Sequence, residues 1–127
     1  MFQIDIMSRV PVYEQIISQT ERFVLTGLMP VGEQLPSVRS LSIQLSINPN
    51  TIQKAYTELD RRGIIYSVPG KGCFVAENAV SLLSQHKRKQ LSTLEDLAYE
   101  LAIAGVSETE LTDCIKHAIA KKGEMKV

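Results

Sequence analysis

The stretch Asn48-Pro49-Asn50-Thr51-Ile52-Gln53-Lys54-Ala55-Tyr56-Thr57-Glu58-Leu59-Asp60-Arg61-Arg62-Gly63 decides the fold. Asn48 is a natural helix cap and Pro49 a natural first residue, because the N–H that proline lacks has no intrahelical partner there. Ile52, Ala55, Tyr56 and Leu59 follow at three- and four-residue spacing and predict one buried face. Asn50, Thr51, Gln53, Lys54, Thr57 and Arg61 fall on the other face, and the helix runs to Gly63. Just upstream, Ser37 caps a short helix whose Val38, Leu41 and Leu45 point inward, with the break at Ser46-Ile47. Two helices separated by so few residues must cross steeply, which is helix-turn-helix geometry.

Beyond Gly63 the period changes from helical to strand-like. Ile64-Ile65-Tyr66-Ser67-Val68 and Cys73-Phe74-Val75 are joined by Pro69-Gly70-Lys71-Gly72, which reads as a hairpin with one exposed cation at its tip, a wing. Upstream, a first helix is predicted from Pro11, with Tyr13, Ile16, Ile17, Thr20, Phe23 and Val24 on its apolar face. Gly27 stops it, and Pro30-Val31-Gly32 forms a turn. These elements define a winged helix-turn-helix domain over residues 1–77, followed by a helical tail over 78–127.

In the tail, Leu91, Leu94, Ala98, Leu101 and Gly105 recur at alternating steps of three and four, a narrow coiled-coil-like seam. The reading favours one helix over 79–104, although Ser92 and Glu95 offer a capping box that would break it near Leu91. Ser107 with Glu110 is a clearer box, opening a last helix with Leu111, Ile115, Ala118 and Ile119 on one face. Lys121, Lys122 and Lys126 suit that helix's negative pole. The expected fold is mainly α with a small β-hairpin and a two-helix dimerisation segment.

The chain has 127 residues, 44% hydrophobic and 22% charged, as in a soluble globular domain. No apolar run approaches the ~20 residues needed to cross a bilayer, and the N-terminus lacks the features of a secretion signal, so the expected location is cytoplasmic with no membrane partner. Cys73 and Cys114 are far apart and lack metal-ligand spacing, so neither a disulfide framework nor a zinc module is expected. Phosphate-cradling glycine motifs, paired carboxylates and nucleophile–base sets are absent; no enzyme activity and no cofactor are implied. Net charge is zero, but residues 37–72 hold five cations against two acids, while the rest holds nine cations and twelve acids. That asymmetry points to a polyanionic partner.

An α-helix fits the major groove of B-DNA, and polar residues near its N-terminus reach base edges. Asn50, Thr51, Gln53 and Lys54 are of the right kind and in the right place. Free backbone N–H groups at the starts near Ser37 and Asn48 can receive phosphate oxygens, and Gly70-Lys71-Gly72 lets the backbone approach a groove closely.

Taken in order, Leu35-Pro36-Ser37-Val38-Arg39-Ser40-Leu41, Asn48-Pro49-Asn50-Thr51-Ile52-Gln53-Lys54-Ala55-Tyr56, Leu59, Arg62-Gly63 and Gly70-Lys71-Gly72-Cys73-Phe74-Val75 resemble the GntR family of bacterial transcription regulators. Pro11-Val12-Tyr13-Glu14-Gln15-Ile16 and Gly32-Glu33-Gln34-Leu35-Pro36-Ser37 fit the same pattern, so the match covers roughly residues 8–76. The short tail is similar to the YtrA-like branch, whose members are dimeric repressors, often of transporter operons. The resemblance implies that Arg39 contacts phosphate or base and that Ser37 caps its helix close to phosphate. It implies that Asn48, Asn50, Thr51, Gln53 and Lys54 belong to a recognition helix, and that Lys71 with Gly70 and Gly72 enters the minor groove. Gln53 replaces a cation found in several relatives, and Cys73 replaces a threonine.

The expectation is thus a homodimeric repressor that binds a palindromic double-stranded operator. Its dimer seam comprises Leu91, Leu94, Ala98, Leu101, Leu111, Ile115 and Ala118. The tail shows no obvious pocket for a small-molecule effector. Two other readings are a thiol-responsive regulator using Cys73 or Cys114, and a winged domain that binds only protein. The exposed amides and lysine argue against the second, because the centre of a protein interface favours aromatic anchors. His86 and His117 are expected to face solvent, and His86-Lys87-Arg88-Lys89 is assigned no function.

Overall fold

A computed structural model of the chain describes residues 1–124. Among these, six helices and two strands follow in the order α1 (Val12–Thr26), α2 (Val38–Leu45), α3 (Pro49–Arg61), β1 (Ile65–Val68), β2 (Gly72–Val75), α4 (Ala79–Arg88), α5 (Leu91–Ile103) and α6 (Glu108–Glu124). The expected mainly helical, winged helix-turn-helix fold is the one observed. The chain divides into two compact units, Met1–Gln85 and the residues from His86 onward.

The first unit is built on the predicted faces. Ile16, Ile17, Thr20 and Val24 of α1, Leu41 of α2, and Ile52, Ala55, Tyr56 and Leu59 of α3 are all buried. Each fully buried aliphatic side chain among them contributes roughly 1.5–3 kcal/mol. α2 and α3 start as expected: Ser37 Oγ accepts from the Ser40 N–H at 3.0 Å, and Asn48 Oδ1 from the Asn50 N–H at 2.8 Å. Between them Ser46 takes a left-handed conformation, φ +56°, which turns the chain within three residues. Pro11 sits one position earlier than expected, as the cap of α1 rather than its first residue.

β1 and β2 pair antiparallel, with Ile65 opposite Val75 and Val68 opposite Gly72. The sequence did not disclose the third member of this layer. The loop before α2 runs along the free edge of β2, where Gly32 N–H and Leu35 N–H donate to the carbonyls of Val75 and Cys73, each at 2.9 Å. The wing is thereby tied to the helix-turn-helix through backbone hydrogen bonds.

The N-terminal residues are also pinned. Phe2 is buried edge-on against Phe23, with ring centroids 5.2 Å apart. The buried Gln15 amide donates to the carbonyls of Asp5 and Val10, each at 2.8 Å, and accepts from the Asp5 N–H at 2.9 Å.

Two boundaries differ from the sequence reading. Ala79 and Leu83 of α4 lie in the first unit's core, so that unit extends to Gln85 rather than ending at 77. The expected single helix over 79–104 is broken at Lys89-Gln90. α4 has an inward stripe of Ala79, Leu82 and Leu83, but the next positions on that stripe are His86, Lys87 and Gln90, which gain nothing from burial. Ser92 does not cap α5; its hydroxyl donates instead to the Lys89 carbonyl at 3.2 Å. In α6, Ser107 Oγ accepts from the Glu110 N–H at 3.1 Å, as the second box requires. Lys126 lies outside the described residues. No described helix is long and apolar enough to cross a membrane.

Candidate nucleic-acid interface

α3 carries the polar edge foreseen from its spacing. Asn50, Gln53, Lys54 and Thr57 are exposed, whereas Thr51 is half-buried. Asn50, Gln53, Lys54 and Thr57 form one wall of a cleft of about 730 Å³ against α1. Gln53 and Thr57 also line a smaller hollow of about 290 Å³ on the wing side, with Ser67 and Cys73. Gln53 therefore stands on a ridge with a concavity on either side. Its amide donates to Thr57 Oγ1 at 3.2 Å, which leaves the carbonyl oxygen free to accept.

Two buried anchors hold this ridge at its angle. The core residues fix the inner face of α3, and Tyr56 Oη donates to the Pro36 carbonyl at 2.7 Å, binding α3 to the residue before the α2 cap. Burial pushes the Tyr56 phenol well above its ordinary range, so it stays protonated and remains a donor. Sequence periodicity had marked Tyr56 only as core; no local signal discloses a partner twenty residues upstream.

The positive stretch is smaller than its residue count implies. Glu58 accepts from Arg61 Nε at 2.9 Å and from Arg62 Nε at 2.8 Å, and Arg62 Nη1 also reaches Glu21 at 3.1 Å. Hydrogen bonds from Arg61 and then Arg62 hold the Glu58 carboxyl down to about 2, so it is ionised wherever the protein is folded and neutral solution is approached. Among the described residues, Arg39, Lys54 and Lys71 are the cations of that stretch left without an ion pair. Arg39 is exposed in the first turn of α2, and Lys71 is exposed at the wing tip. The Lys54 ammonium instead lies over the Tyr13 ring, 3.9 Å from its centroid.

The wing tip is shaped by its glycines. Lys71 N–H donates to the Val68 carbonyl at 2.9 Å, closing a turn with Pro69 second and Gly70, φ +78°, third. Gln34, to which the sequence assigns no role of its own, supports the tip: its amide donates to the Lys71 carbonyl at 2.8 Å. Gly72 has φ +123°, and a Cβ there would lie 2.7 Å from Gln34 Nε2. Gly72→Ala should therefore displace Gln34, strain the backbone and lower stability by about 1–3 kcal/mol. Urea denaturation monitored by circular dichroism measures this loss, and an unchanged midpoint would contradict it.

Cys73 is half-buried, with its sulfur 3.4 Å from Ser67 Oγ, and Cys114 is exposed on α6. His86, His117 and Lys87-Arg88-Lys89 are exposed. In α5 and α6 none of the described residues is buried. Leu91, Leu94, Leu101, Ile115 and Ala118 are exposed, while Ala98 and Leu111 are half-buried. Leu97 extends the same stripe and is exposed as well.

A capped helix, a tight turn, a protruding polar helix and a glycine-bounded wing define a winged helix-turn-helix DNA-binding regulator. The family described as "Bacterial regulatory proteins, gntR family" matches residues 12–75. The HTH-type transcriptional repressor YtrA of Bacillus subtilis (strain 168) is 42% identical over 121 residues, covering 94% of this chain and 93% of that one. A transcriptional regulator from Oenococcus oeni has a similar solved structure, with TM-score 0.73 and 32% identity, covering 94% of this chain and 99% of the other. The DNA-binding domain of AraR, solved with operator ORE1, has TM-score 0.51 and 31% identity, covering 60% of this chain and 95% of its own. The chain belongs to the GntR family and is a transcription regulator, not an enzyme.

Proposed function

We propose that the protein is a cytoplasmic, homodimeric repressor that binds an inverted-repeat operator through two winged heads. The observation that carries this reading is the exposed edge of α3, where Asn50, Gln53 and Lys54 stand clear of the core beside a glycine-shaped wing. α3 enters the major groove and presents Asn50 and Gln53 to base edges, with Lys54 within reach of the phosphate backbone. Arg39 and the first N–H groups of α2 after Ser37 meet phosphate oxygens, and Asn48 and Thr51 at the start of α3 face the same backbone through their side chains. Lys71, with Gly70 and Gly72, enters the adjacent minor groove.

Dimerisation is supported by the second unit. Two amphipathic helices without a buried residue do not hold themselves together in water. A second copy, meeting Leu91, Leu94, Ala98 and Leu101 of α5 and Leu111, Ile115 and Ala118 of α6, covers the apolar stripe and sets two heads in two-fold symmetry. Repression is supported by the likeness of nearly the whole chain to the repressor YtrA, and a transporter operon is the target that the resemblance to the YtrA-like branch implies. Selection of bound fragments from a random duplex pool tests the reading. An enriched inverted repeat, bound with an affinity that falls steeply with salt, is the expected result. No enrichment, or a single half-site, counts against it.

A further inference from the structure

We propose that Tyr13 of α1 is a positioning residue for the recognition helix: its ring holds the Lys54 ammonium in a preset place from which it meets a DNA phosphate. The inference rests on the DNA-reading role of α3 proposed above. The ammonium nitrogen lies 3.9 Å from the ring centroid, inside the ~6 Å over which an aromatic face attracts a cation. Tyr13 is itself half-buried and packed against the first unit's core, so the ring is a fixed platform while the lysine above it is exposed.

The surroundings explain why the ring, and not a carboxylate, holds this lysine. Glu14, Glu21 and Glu58 line the same cleft as Lys54, yet none of them pairs with it. Glu58 is occupied by Arg61 and Arg62, Glu21 by Arg62, and Glu14 accepts from Tyr13 Oη at 3.3 Å. The last bond also polarises the phenol toward its ring and strengthens the attraction for a cation above it. The distinction matters for function. A lysine neutralised by a carboxylate must break that pair before it binds phosphate, whereas one held over a ring keeps its full charge. It also enters the complex with part of its side-chain rotamer freedom already lost, which lowers the cost of immobilising it there.

A double-mutant cycle on operator affinity reads the coupling. Lys54→Met is expected to weaken binding and to flatten its salt dependence. Tyr13→Leu is expected to weaken binding about threefold to fivefold, with the salt dependence unchanged because Lys54 still reaches phosphate. In the Lys54→Met background, Tyr13→Leu costs nothing further. Tyr13→Phe keeps the ring and therefore keeps the coupling to Lys54. Equal losses from Tyr13→Leu in both backgrounds would overturn the inference, since packing or a direct DNA contact by Tyr13 behaves that way. Tighter binding by Tyr13→Leu would overturn it too, by showing that the ring holds the lysine away from DNA. Independently of any variant, proton NMR of the free protein should show the Lys54 ε-methylene shifted upfield by the ring; an unshifted signal overturns the placement. Wild-type protein that binds no duplex overturns the DNA-reading role itself, whereas intact binding without coupling overturns only the part given to Tyr13.

Discussion

Leu94→Asp combined with Leu101→Asp is expected to give a monomer with an intact winged head that binds the inverted repeat at least about a hundredfold more weakly than the wild-type protein. The two leucines lie seven residues apart on the exposed apolar stripe of α5, 46% and 38% accessible in the single chain. A carboxylate there stays in water while the chain is alone. Pairing two copies would bury it without a partner, and burying an unpaired charge is among the costliest single changes available. The first unit has its own core from Phe2 to Leu83, so the melting of the winged head should persist, while helical circular dichroism falls by the part that α5 and α6 supply when paired.

The expected loss in DNA binding follows from how two heads act together. When one head is seated, the second binds its half-site as an intramolecular event, and that advantage disappears in a monomer without any change at α3. Analytical ultracentrifugation and operator titration on the same samples separate the two effects. A variant that remains dimeric would show that the seam lies elsewhere, on α6 alone or on another surface. A monomer with undiminished affinity would show that the heads do not cooperate.

The legible and illegible parts of this protein divide along physical lines. Helix starts were readable because Ser37, Asn48 and Ser107 are local devices whose partners lie two or three residues away. The buried face of α3 was readable because its period is set by one helix. What connects distant parts of the chain was not. Gln34 under the wing tip, Tyr56 on the Pro36 carbonyl and Tyr13 beneath Lys54 act across 20 residues or more, and each looks locally like an ordinary polar or core residue. The same limit inflated the positive stretch, since Arg61 and Arg62 count as cations in the sequence but are spent on Glu58 in the fold. The break in the segment 79–104 is illegible for a related reason. The seam starting at Leu91 has a clean period, but the core-facing stripe of α4 ends at Leu83, and polar residues separate the two. A repeat on each side does not make one helix of the segment between.

Arg39→Ala and Gln53→Ala should weaken operator binding in different ways, and the contrast tests the roles assigned along the helix-turn-helix. Arg39 is exposed in the first turn of α2 and has no ion pair among the described residues, so its whole charge is available to phosphate. Its loss removes one phosphate contact from each head. The magnitude of the slope of log affinity against log salt should then fall by about one per head, so by about two for the dimer. Affinity should fall for operator and unrelated duplex alike, because phosphates carry no sequence. Gln53 has no charge to lose, so the slope should hold. Its side chain stands on the α3 ridge with the amide oxygen free, the place from which a bidentate contact to adenine discriminates by about 1–3 kcal/mol. Gln53→Ala should therefore relax the preference at one position of each half-site while binding to unrelated duplex stays the same. Titrations of both variants over a salt series, against the selected operator and its single-base changes, measure slope and preference together. If Gln53→Ala changed the slope, or Arg39→Ala changed only the preference, the two roles would have to be exchanged; no change in either would remove both residues from the interface.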